Sequence, residues 1–282
     1  MKLTQLLEHL QYEVIQGNDD VMVTELVNDS RRVCEGSVFV CISGAVSDGH
    51  SYIADVAEKK AAAVIVEKDV KLPEGLTVIK VSDTRYALAL MSAAYFGYPA
   101  DRLKVIGITG TKGKTTTTYM VKSILEGVGH KVGLIGTIEV LIGDKSIPAN
   151  NTTPESYTIQ KYFAEMVKAG CDSVVMEVSS QGLMLHRTAG IPFEIDIFTN
   201  LGEDHIGPNE PKDFEDYKHC KGLLFKQCRL GIANVDDRWF EDVFAGATCK
   251  VETFGLSEKA GLRAADIRHI SKPGYLGVKY HV

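Results

Sequence analysis

The chain has 282 residues, of which 45% are hydrophobic and 24% are charged, as is typical of a soluble globular protein long enough for two domains. The net charge of −6 gives no overall electrostatic basis for binding nucleic acid, although a local basic pocket could still bind an anion. No segment approaches the ~18 consecutive apolar residues of a membrane-spanning helix. Six scattered cysteines without CxxC spacing favour reduced thiols in a cytoplasmic protein over disulfides or a zinc site.

Residues 1–98 are expected to form a small α/β domain. Residues 1–14 are predicted to be an amphipathic helix and not a signal peptide, because they carry acidic residues and no cleavage-like site. Apolar runs predict strands at 37–44, 62–67 and 76–82, and helical spacing predicts helices at 51–61 and 83–97. Polar turns at 28–32 and 48–50 flank the first strand, where α/β sheets place ligands. Taken alone, both are ordinary turns.

The stretch VIGITGTKGKTTTTY, residues 105–119, predicts a phosphate-binding loop. Its apolar beginning is typical of a buried parallel strand, which breaks at two glycines before an amphipathic helix begins at Lys114. Glycines let backbone N–H groups point into one concavity, and the helix N-terminus adds partial positive charge there. Lys114 supplies a charge for the outer phosphates, and the hydroxyl of Thr115 or Thr116 can reach a magnesium ion. A glycine-rich turn with an accidental lysine is the weaker interpretation, because strand, loop and helix follow in order.

Two further side chains are expected at the same edge of the sheet. The apolar run at 173–180 contains Glu177 near its end, and an acid at the end of a neighbouring strand is positioned to hold magnesium. The alternative is a carboxylate that faces solvent. The next buried strand leads to His205, for which metal or phosphate contact competes evenly with a structural role. The other predicted elements are strands at 131–137, 138–143, 229–234 and 250–255, helices at 156–170 and 213–225, and strand-like alternation at 265–282.

Seven motifs stand in order along the chain: TGTKGKTT (109–116), NTTPE (151–155), MEVSSQGL (176–183), HR (186–187), TNLGEDHIGPNE (199–210), YKHCKGLLF (217–225) and NVDD (234–237). Together they resemble the Mur ligases, and within that family the tripeptide synthetase type, which adds the third residue of the peptidoglycan stem peptide. The stretch NDSRRVCEGSVFVCISGAVSDGH is similar to the uridine-nucleotide domain of that type. The resemblance covers nearly all of the chain. It implies an α/β fold with a small uridine-nucleotide-binding domain over 1–98 and a P-loop-type, mostly parallel-sheet ATPase domain over 99–282.

The resemblance also implies an ATP-dependent ligase reaction. The γ-phosphate of ATP goes to the terminal carboxylate of UDP-MurNAc-L-Ala-D-Glu, and an incoming amino acid attacks the acyl phosphate to form an amide. ATP and Mg²⁺ are the implied cofactors. The expected protein is a cytoplasmic monomer whose partners are these small molecules, without nucleic acid and without membrane insertion. Because two anions must meet, positive groups and magnesium have to be preorganised around them.

Residue roles follow from the same resemblance, position by position. The ATP-binding residues would be Gly110, Thr111, Lys112, Gly113, Lys114, Thr115, Thr116 and Asn234. The metal ligands would be Thr115, Glu177, His205 and a carbamylated Lys221, and the catalytic residues would be Lys114, Lys221 and His205. The muramoyl-peptide substrate would contact Ser30, Thr152, Thr153, Ser179 and Arg187. For Ser30 and Ser179, a capping or turn hydroxyl is a competing interpretation.

The chain departs from the family pattern in three positions and in length. Lys112 stands where many members have Asn, Gln181 stands where His is common, and IGPNE at 206–210 replaces a version that bears tyrosine and histidine. Members also carry a C-terminal domain that closes over the site and selects the amino acid, and nothing in this chain corresponds to it. The central domain is therefore expected to be incomplete. Complete ligase activity of these residues alone is doubtful, because the site cannot be closed from water.

Three other functions are compatible with the phosphate-binding loop. A folylpolyglutamate synthetase shares the loop and the chemistry, but the N-terminal third argues against it. A non-catalytic nucleotide-binding module would need no second-metal residues, yet His205 and Lys221 are present. A GTPase is the weakest alternative, because no Asn-Lys-x-Asp guanine signature follows the loop.

Overall fold

The computed structural model describes residues 1–44, 47–71, 73–202 and 211–282. Its helices are α1 (Leu3–Leu6), α2 (Ile53–Glu58), α3 (Thr84–Tyr95), α4 (Lys114–Gly127), α5 (Ser156–Lys168), α6 (Ser180–Met184), α7 (Phe214–Gly222) and α8 (Phe240–Phe244). Its strands are β1 (Glu13–Gln16), β2 (Leu26–Val27), β3 (Val38–Val40), β4 (Ala63–Val66), β5 (Thr77–Lys80), β6 (Lys104–Thr109), β7 (Val132–Ile135), β8 (Glu139–Ile142), β9 (Lys145–Pro148), β10 (Ser173–Glu177), β11 (Phe193–Phe198), β12 (Cys228–Asn234), β13 (Lys250–Gly255), β14 (Leu262–Arg263), β15 (Ala265–Lys272) and β16 (Tyr275–His281). The predicted α/β class is confirmed. Within the described part of the chain, no helix is long and apolar enough to cross a membrane.

The described residues divide into two compact units. The first contains residues 1–102, 154–168 and 185–190, and the second contains residues 103–153, 169–184 and 191–282. The sequence predicted a single boundary near residue 98, whereas in the structure residues 154–168 and 185–190 also belong to the first unit. The reason is packing: α5 lies against α3, with the Tyr157 ring 5.1 Å from that of Phe96 and 6.1 Å from that of Tyr95.

The first unit is built on a five-stranded sheet in the order β1-β5-β4-β3-β2. Strands β2 to β5 are parallel, and β1 joins β5 antiparallel. The central strands β3 and β4 are buried on both faces, as expected for apolar runs covered by helices on either side.

The predicted N-terminal helix over 1–14 is wrong in its extent. Helix α1 has four residues, and the chain is extended again at Glu13. The pairing of Glu13 with Lys80 and of Val14 with Ile79 adds an edge strand to the sheet. A helix of four residues is barely one turn long and is only marginally stable by itself. The pairing of β1 with β5 therefore outweighs the helical pattern of the sequence.

The second unit contains a nine-stranded sheet in the order β14-β13-β12-β11-β6-β10-β7-β8-β9. The strands from β14 to β7 are parallel, and β8 and β9 continue the sheet antiparallel, as the sequence predicted for β8. The C-terminal strands β15 and β16 form a separate antiparallel hairpin. Strand β6 lies between β11 and β10, so the loop that follows it opens at the centre of the parallel part of the sheet.

A carboxyl group is buried in β11 at the middle of this sheet. Asp196 is 0% exposed and pairs in register with Gly107 on one side and Gly231 on the other. Neither carboxyl oxygen meets a donor of the described residues at hydrogen-bonding geometry. Burial therefore raises the pKa of Asp196 well above its usual range, and the nearby Cys228 thiol and Gly107 amide offset only part of that effect. Burial at this core position thus favours the protonated form of the Asp196 carboxyl group.

Candidate functional site

The loop between β6 and α4 has the shape of a phosphate cradle. Gly110 has a φ of 149° and Gly113 a φ of 84°, and Gly113 is the N-cap of α4. The backbone of Lys112 is fixed from outside the loop, because its N–H donates to Asn200 Oδ1 (3.0 Å) and its carbonyl accepts from Asn200 Nδ2 (2.9 Å) and Thr199 Oγ1 (2.9 Å). The loop is thus preformed, as an anion site at a helix N-terminus requires.

Two lysine side chains bring positive charge to this loop. Lys114 Nζ donates to the carbonyl oxygens of Gly110 (2.8 Å) and Thr111 (3.1 Å). Lys221, on α7, is 1% exposed, and its Nζ also donates to the Gly110 carbonyl (3.1 Å) while lying 4.5 Å from the centre of the Tyr217 ring. Two cations that share one carbonyl concentrate positive potential at the loop, where the phosphates of a nucleotide would bind.

Glu177 lies beside the first turn of α4. The parallel register pairs Glu177 with Ile108 of β6, which places its side chain next to the loop. Its carboxylate is 1% exposed and accepts hydrogen bonds from Thr115 Oγ1 at 2.9 and 3.0 Å. The sequence left the choice between the hydroxyls of Thr115 and Thr116 open, and the structure puts Thr115 in contact with the carboxylate.

Three predicted substrate residues make hydrogen bonds close to Glu177. Thr153 Oγ1 donates to the Glu177 carbonyl (3.0 Å) and accepts from the Ser179 N–H (2.9 Å). Ser179 Oγ in turn accepts from the Gly182 N–H (3.0 Å), which is the capping role that competed with substrate binding for this residue. Thr152 Oγ1 lies 3.0 Å from Thr137 Oγ1. Thr152, Thr153 and Ser179 are thereby grouped at the end of β10.

Asn234 is linked to the loop through Thr199. At the end of β12, Asn234 Nδ2 donates to the Thr199 carbonyl (2.9 Å), and its Oδ1 accepts from the Asp236 N–H (3.1 Å). Its amide group therefore has structural partners on both sides.

The first unit contains a cavity of about 700 Å³ around the turn at 28–32. This is the size of a small-molecule pocket. Its lining residues are Asn28, Asp29, Ser30, Arg31, Phe39, Ile42, Gly44, Ser47, Gly49, Tyr52, Arg85 and Glu155. The Asp29 carboxylate caps the turn by accepting from the Arg31 N–H (3.0 Å), and its hydrogen bond to the Arg31 guanidinium lowers the pKa of Asp29 to about 2. The turns at 28–32 and 48–50, ordinary by themselves, contribute to one polar pocket.

Arg187 also belongs to the first unit. Its guanidinium pairs with Glu155 at 2.7 Å, and the same carboxylate lies 3.6 Å from the Arg85 guanidinium. Arg85 and Glu155 line the cavity, and Arg187 is connected to it through its ion pair with Glu155. The sequence suggested Arg187 but missed Arg85 and Glu155. The only signal available was their occurrence at a helix start and within the NTTPE motif.

His205 lies outside the described residues, as do the other residues from 203 to 210. Among the residues that are described, those predicted for ATP and the first metal gather at the cradle, whereas Ser30 and Arg187 belong to the first unit. Residues that sequence reasoning missed are Thr137, Thr199, Asn200 and Tyr217. Thr137 contacts Glu177, and the other three contact the cradle. Thr199, Asn200 and Tyr217 stand in quoted motifs, which were the available signal, whereas Thr137 stands in none.

The donor set at the cradle suits magnesium. Mg²⁺ prefers oxygen ligands and is usually held by one or two carboxylates together with phosphate oxygens and water. Thr115 and Glu177 supply a hydroxyl and a carboxylate that are in contact with each other. In the described segments, no group of three or more His, Cys, Asp and Glu side chains is arranged to hold a metal.

Comparison with protein families gives two matches. The Mur ligase middle domain matches residues 108–277, and the Mur ligase family catalytic domain matches residues 23–107. The chain is 46% identical over 273 residues to UDP-N-acetylmuramoyl-L-alanyl-D-glutamate–2,6-diaminopimelate ligase from Clostridium perfringens, covering 95% of this chain and 56% of that protein. It is 46% identical over 287 residues to a ligase of the same name from Clostridium acetobutylicum, covering 100% of this chain and 59% of that protein. The chain thus spans a little over half the length of these relatives.

Solved structures show the same fold. A UDP-N-acetylmuramoyl-L-alanyl-D-glutamate–2,6-diaminopimelate ligase superposes with a TM-score of 0.81 at 20% identity, covering 99% of this chain and 59% of that one. A UDP-N-acetylmuramoylalanyl-D-glutamyl-2,6-diaminopimelate–D-alanyl-D-alanyl ligase from Acinetobacter baumannii has a TM-score of 0.57 at 19% identity, covering 99% and 60%. At these identities the likeness establishes the architecture alone.

Proposed function

Because the chain belongs to the Mur ligase family, we propose that it carries the uridine-nucleotide-binding and ATP-binding parts of a ligase that extends UDP-MurNAc-L-Ala-D-Glu by one amino acid. The observation that carries the proposal is the contact of Thr115 with the buried Glu177 carboxylate beside the cradle. A phosphate site with a metal site next to it is what transfer of a phosphoryl group requires. The relatives' names point to 2,6-diaminopimelate as the added amino acid.

The residues of the cradle would perform the first half of the reaction. Lys114 would exchange its contacts with the loop carbonyls for the outer phosphates of ATP, and Thr115 and Glu177 would hold the magnesium. Bound magnesium supplies charge neutralisation for the phosphoryl group that is transferred. Lys221, whose Nζ contacts the Gly110 carbonyl, would contribute to holding magnesium as its carbamate. Together, these groups would offset the repulsion between the γ-phosphate and the attacking carboxylate.

The cavity of the first unit would bind the uridine end of the substrate. Ser30 and the backbone of its turn line the cavity, and Tyr52 offers an aromatic wall. The Arg187 guanidinium would hold an anionic group of the muramoyl-peptide, with Glu155 fixing its orientation. In this proposal the protein acts in the cytoplasm as a monomer.

Calorimetric titration tests the substrate assignment. We expect saturable binding of UDP-MurNAc-L-Ala-D-Glu that is tighter than binding of UDP, because the muramoyl-peptide adds contacts. Arg187→Ala should lower the affinity for the muramoyl-dipeptide at least about tenfold, since a hydrogen bond to a charged group contributes about 1.5–3 kcal/mol. The matched control is Arg229→Ala, which removes an exposed arginine paired with Glu194 and should bind like the parent.

Two results would decide against the assignment. If the folded chain bound neither uridine ligand, the substrate assignment would be wrong, and the protein would then be a nucleotide-binding module of another kind. Saturable binding of tetrahydrofolate without binding of the uridine ligands would favour the folylpolyglutamate synthetase alternative.

Carbamylation of Lys221 is a second testable part of the proposal. A carbamate keeps one N–H on Nζ, so the hydrogen bond to the Gly110 carbonyl can persist while the new carboxylate provides an anion for magnesium. We expect a carbamate carbon signal in NMR spectra of the chain after incubation with ¹³C-labelled bicarbonate. The signal should be missing in Lys221→Arg and present in Lys226→Arg, a neighbouring lysine. A spectrum without the signal in the parent chain at high bicarbonate would show that Lys221 acts as a plain cation.

A further inference from the structure

A tight turn after β7 closes around the carboxylate of Glu177. Strand β7 is parallel to β10, and Ile135 pairs with Met176, so the residues that follow β7 come to lie beside Glu177. A Cβ atom at Gly136 would lie 2.7 Å from Glu177 Oε1, which means that the backbone approaches the carboxylate as closely as glycine permits. The Gly136 N–H donates to the Glu139 carbonyl (3.1 Å), and this bond fixes the turn.

Thr137, the next residue, donates to both oxygens of that carboxylate. Its backbone N–H reaches Oε1 at 2.9 Å, and its Oγ1 reaches Oε2 at 3.1 Å. A carboxylate held at both oxygens from one residue cannot rotate about its last bond without losing a hydrogen bond to an ionised group. Thr115 also donates to Glu177, but a hydroxyl that ligates a metal uses its oxygen lone pair for that purpose. Thr137 is therefore the residue whose donors would stay on Glu177 when a metal binds.

Thr137 also connects Glu177 to Thr152. The two hydroxyl oxygens are 3.0 Å apart, and a hydroxyl has one proton to donate. Because the Thr137 proton goes to Oε2, the Thr152 hydroxyl must donate to Thr137. The result is a relay in which Thr152 donates to Thr137 and Thr137 donates to Glu177. Hydrogen bonds in such a chain polarise and strengthen one another.

We propose that Thr137 is a positioning residue that orients the Glu177 carboxylate for the metal and couples it to Thr152. This inference rests on the proposed function, because it takes Glu177 as a metal ligand. It assigns a role to a residue outside the phosphate loop and outside the NTTPE and MEVSSQGL motifs. Residues that hold a metal ligand in place typically change metal affinity by about 10–100-fold when they are replaced.

Binding of Mn²⁺, followed by electron paramagnetic resonance in the presence of saturating ADP, tests the proposal. Thr137→Val keeps the backbone N–H and the side-chain shape but removes the hydroxyl, and we expect Mn²⁺ affinity to fall about tenfold. Thr137→Ser restores the hydroxyl and should return the affinity to near the parent value. The matched control is Thr248→Val, since the Thr248 hydroxyl donates to the Lys226 carbonyl at another place in the second unit.

Glu177→Gln separates failure of this inference from failure of the proposed function. If Glu177→Gln weakens Mn²⁺ binding and Thr137→Val does not, the positioning role of Thr137 is wrong while the metal site stands. If Glu177→Gln leaves Mn²⁺ affinity unchanged, the metal role of Glu177 fails and the inference fails with it.

The relay makes a further demand on Thr152. Thr152→Val should weaken Mn²⁺ binding in the parent chain and should have no further effect in Thr137→Val, because the connection is already broken there. If the double variant lost Mn²⁺ affinity by the product of the two single fold-changes, the two residues would act independently and the relay would be wrong. A merely structural role of Thr137 would not produce this dependence.

Discussion

Gly110→Ala should abolish measurable binding of ADP to the chain and destabilise the second unit by about 3 kcal/mol. A Cβ atom at this position would lie 2.0 Å from Thr199 Oγ1 and 3.1 Å from the Asn200 carbonyl oxygen. Thr199 cannot turn away freely, because its hydroxyl donates to the Lys112 carbonyl. The loop itself would have to move, and it carries the carbonyl that both Lys114 and Lys221 contact. Titration with ADP and urea unfolding followed by fluorescence of Trp239 would measure the two effects.

Gly113→Ala is the matched control for this prediction. Its φ of 84° also disfavours a side chain, but a Cβ atom there would have no neighbour within 4 Å among the described residues. We expect the left-handed backbone to cost about 1–2 kcal/mol of stability and ADP binding to remain measurable. Equal losses in the two variants would mean that backbone conformation, and not the contact with Thr199, limits what the loop accepts.

Asp196→Asn should make the second unit increasingly more stable than the parent as pH rises. The folded chain keeps the proton of Asp196 over a pH range in which the unfolded chain has lost it, because burial raises the pKa only in the folded state. The folded state then binds more protons, so the free energy of unfolding of the parent falls as pH rises above about 4, by up to about 1.4 kcal/mol per pH unit. Because an amide does not ionise in this range, the free energy of unfolding of the variant does not decrease with pH for this reason.

Urea unfolding at a series of pH values from about 5 to about 8 would measure the difference between the two chains. Asp144→Asn, at an exposed position, should differ from the parent by a small amount that does not grow with pH. A constant difference between Asp196→Asn and the parent across the series would show that Asp196 ionises normally in the folded protein.

The cradle could be predicted from the sequence because its parts are local. An apolar run, two glycines and a lysine within one short stretch require a strand, a turn and a helix start in that order, and β6 and α4 have these positions. Glu177 was also predictable, since a strand that ends in an acid needs no knowledge of its neighbours. Its contact with Thr115 then follows from parallel pairing of β10 with β6.

The rest depends on pairing that the local sequence does not contain. Thr137 follows β7 as an ordinary residue after a glycine, and it meets Glu177 only because β7 is next to β10. The extended chain at Glu13 likewise requires β5, which is far along the sequence. Asp196 lies in a strand that was predicted as buried, but the complete burial of its carboxyl group depends on the strands on both sides.

The discontinuity of the first unit has a consequence for synthesis of the protein. Helix α5 packs on α3, yet its residues are translated only after residues 103–153 of the second unit. Tyr95 and Phe96 are therefore synthesised before Tyr157 of α5, the ring against which they pack. Their apolar surface stays uncovered until α5 has been synthesised as far as residue 168. Domains that are continuous in sequence can fold one after the other as they emerge. Here residues 103–153 of the second unit are synthesised before the first unit is complete. A nascent chain stalled shortly after residue 102 should therefore be susceptible to proteases and bound by chaperones.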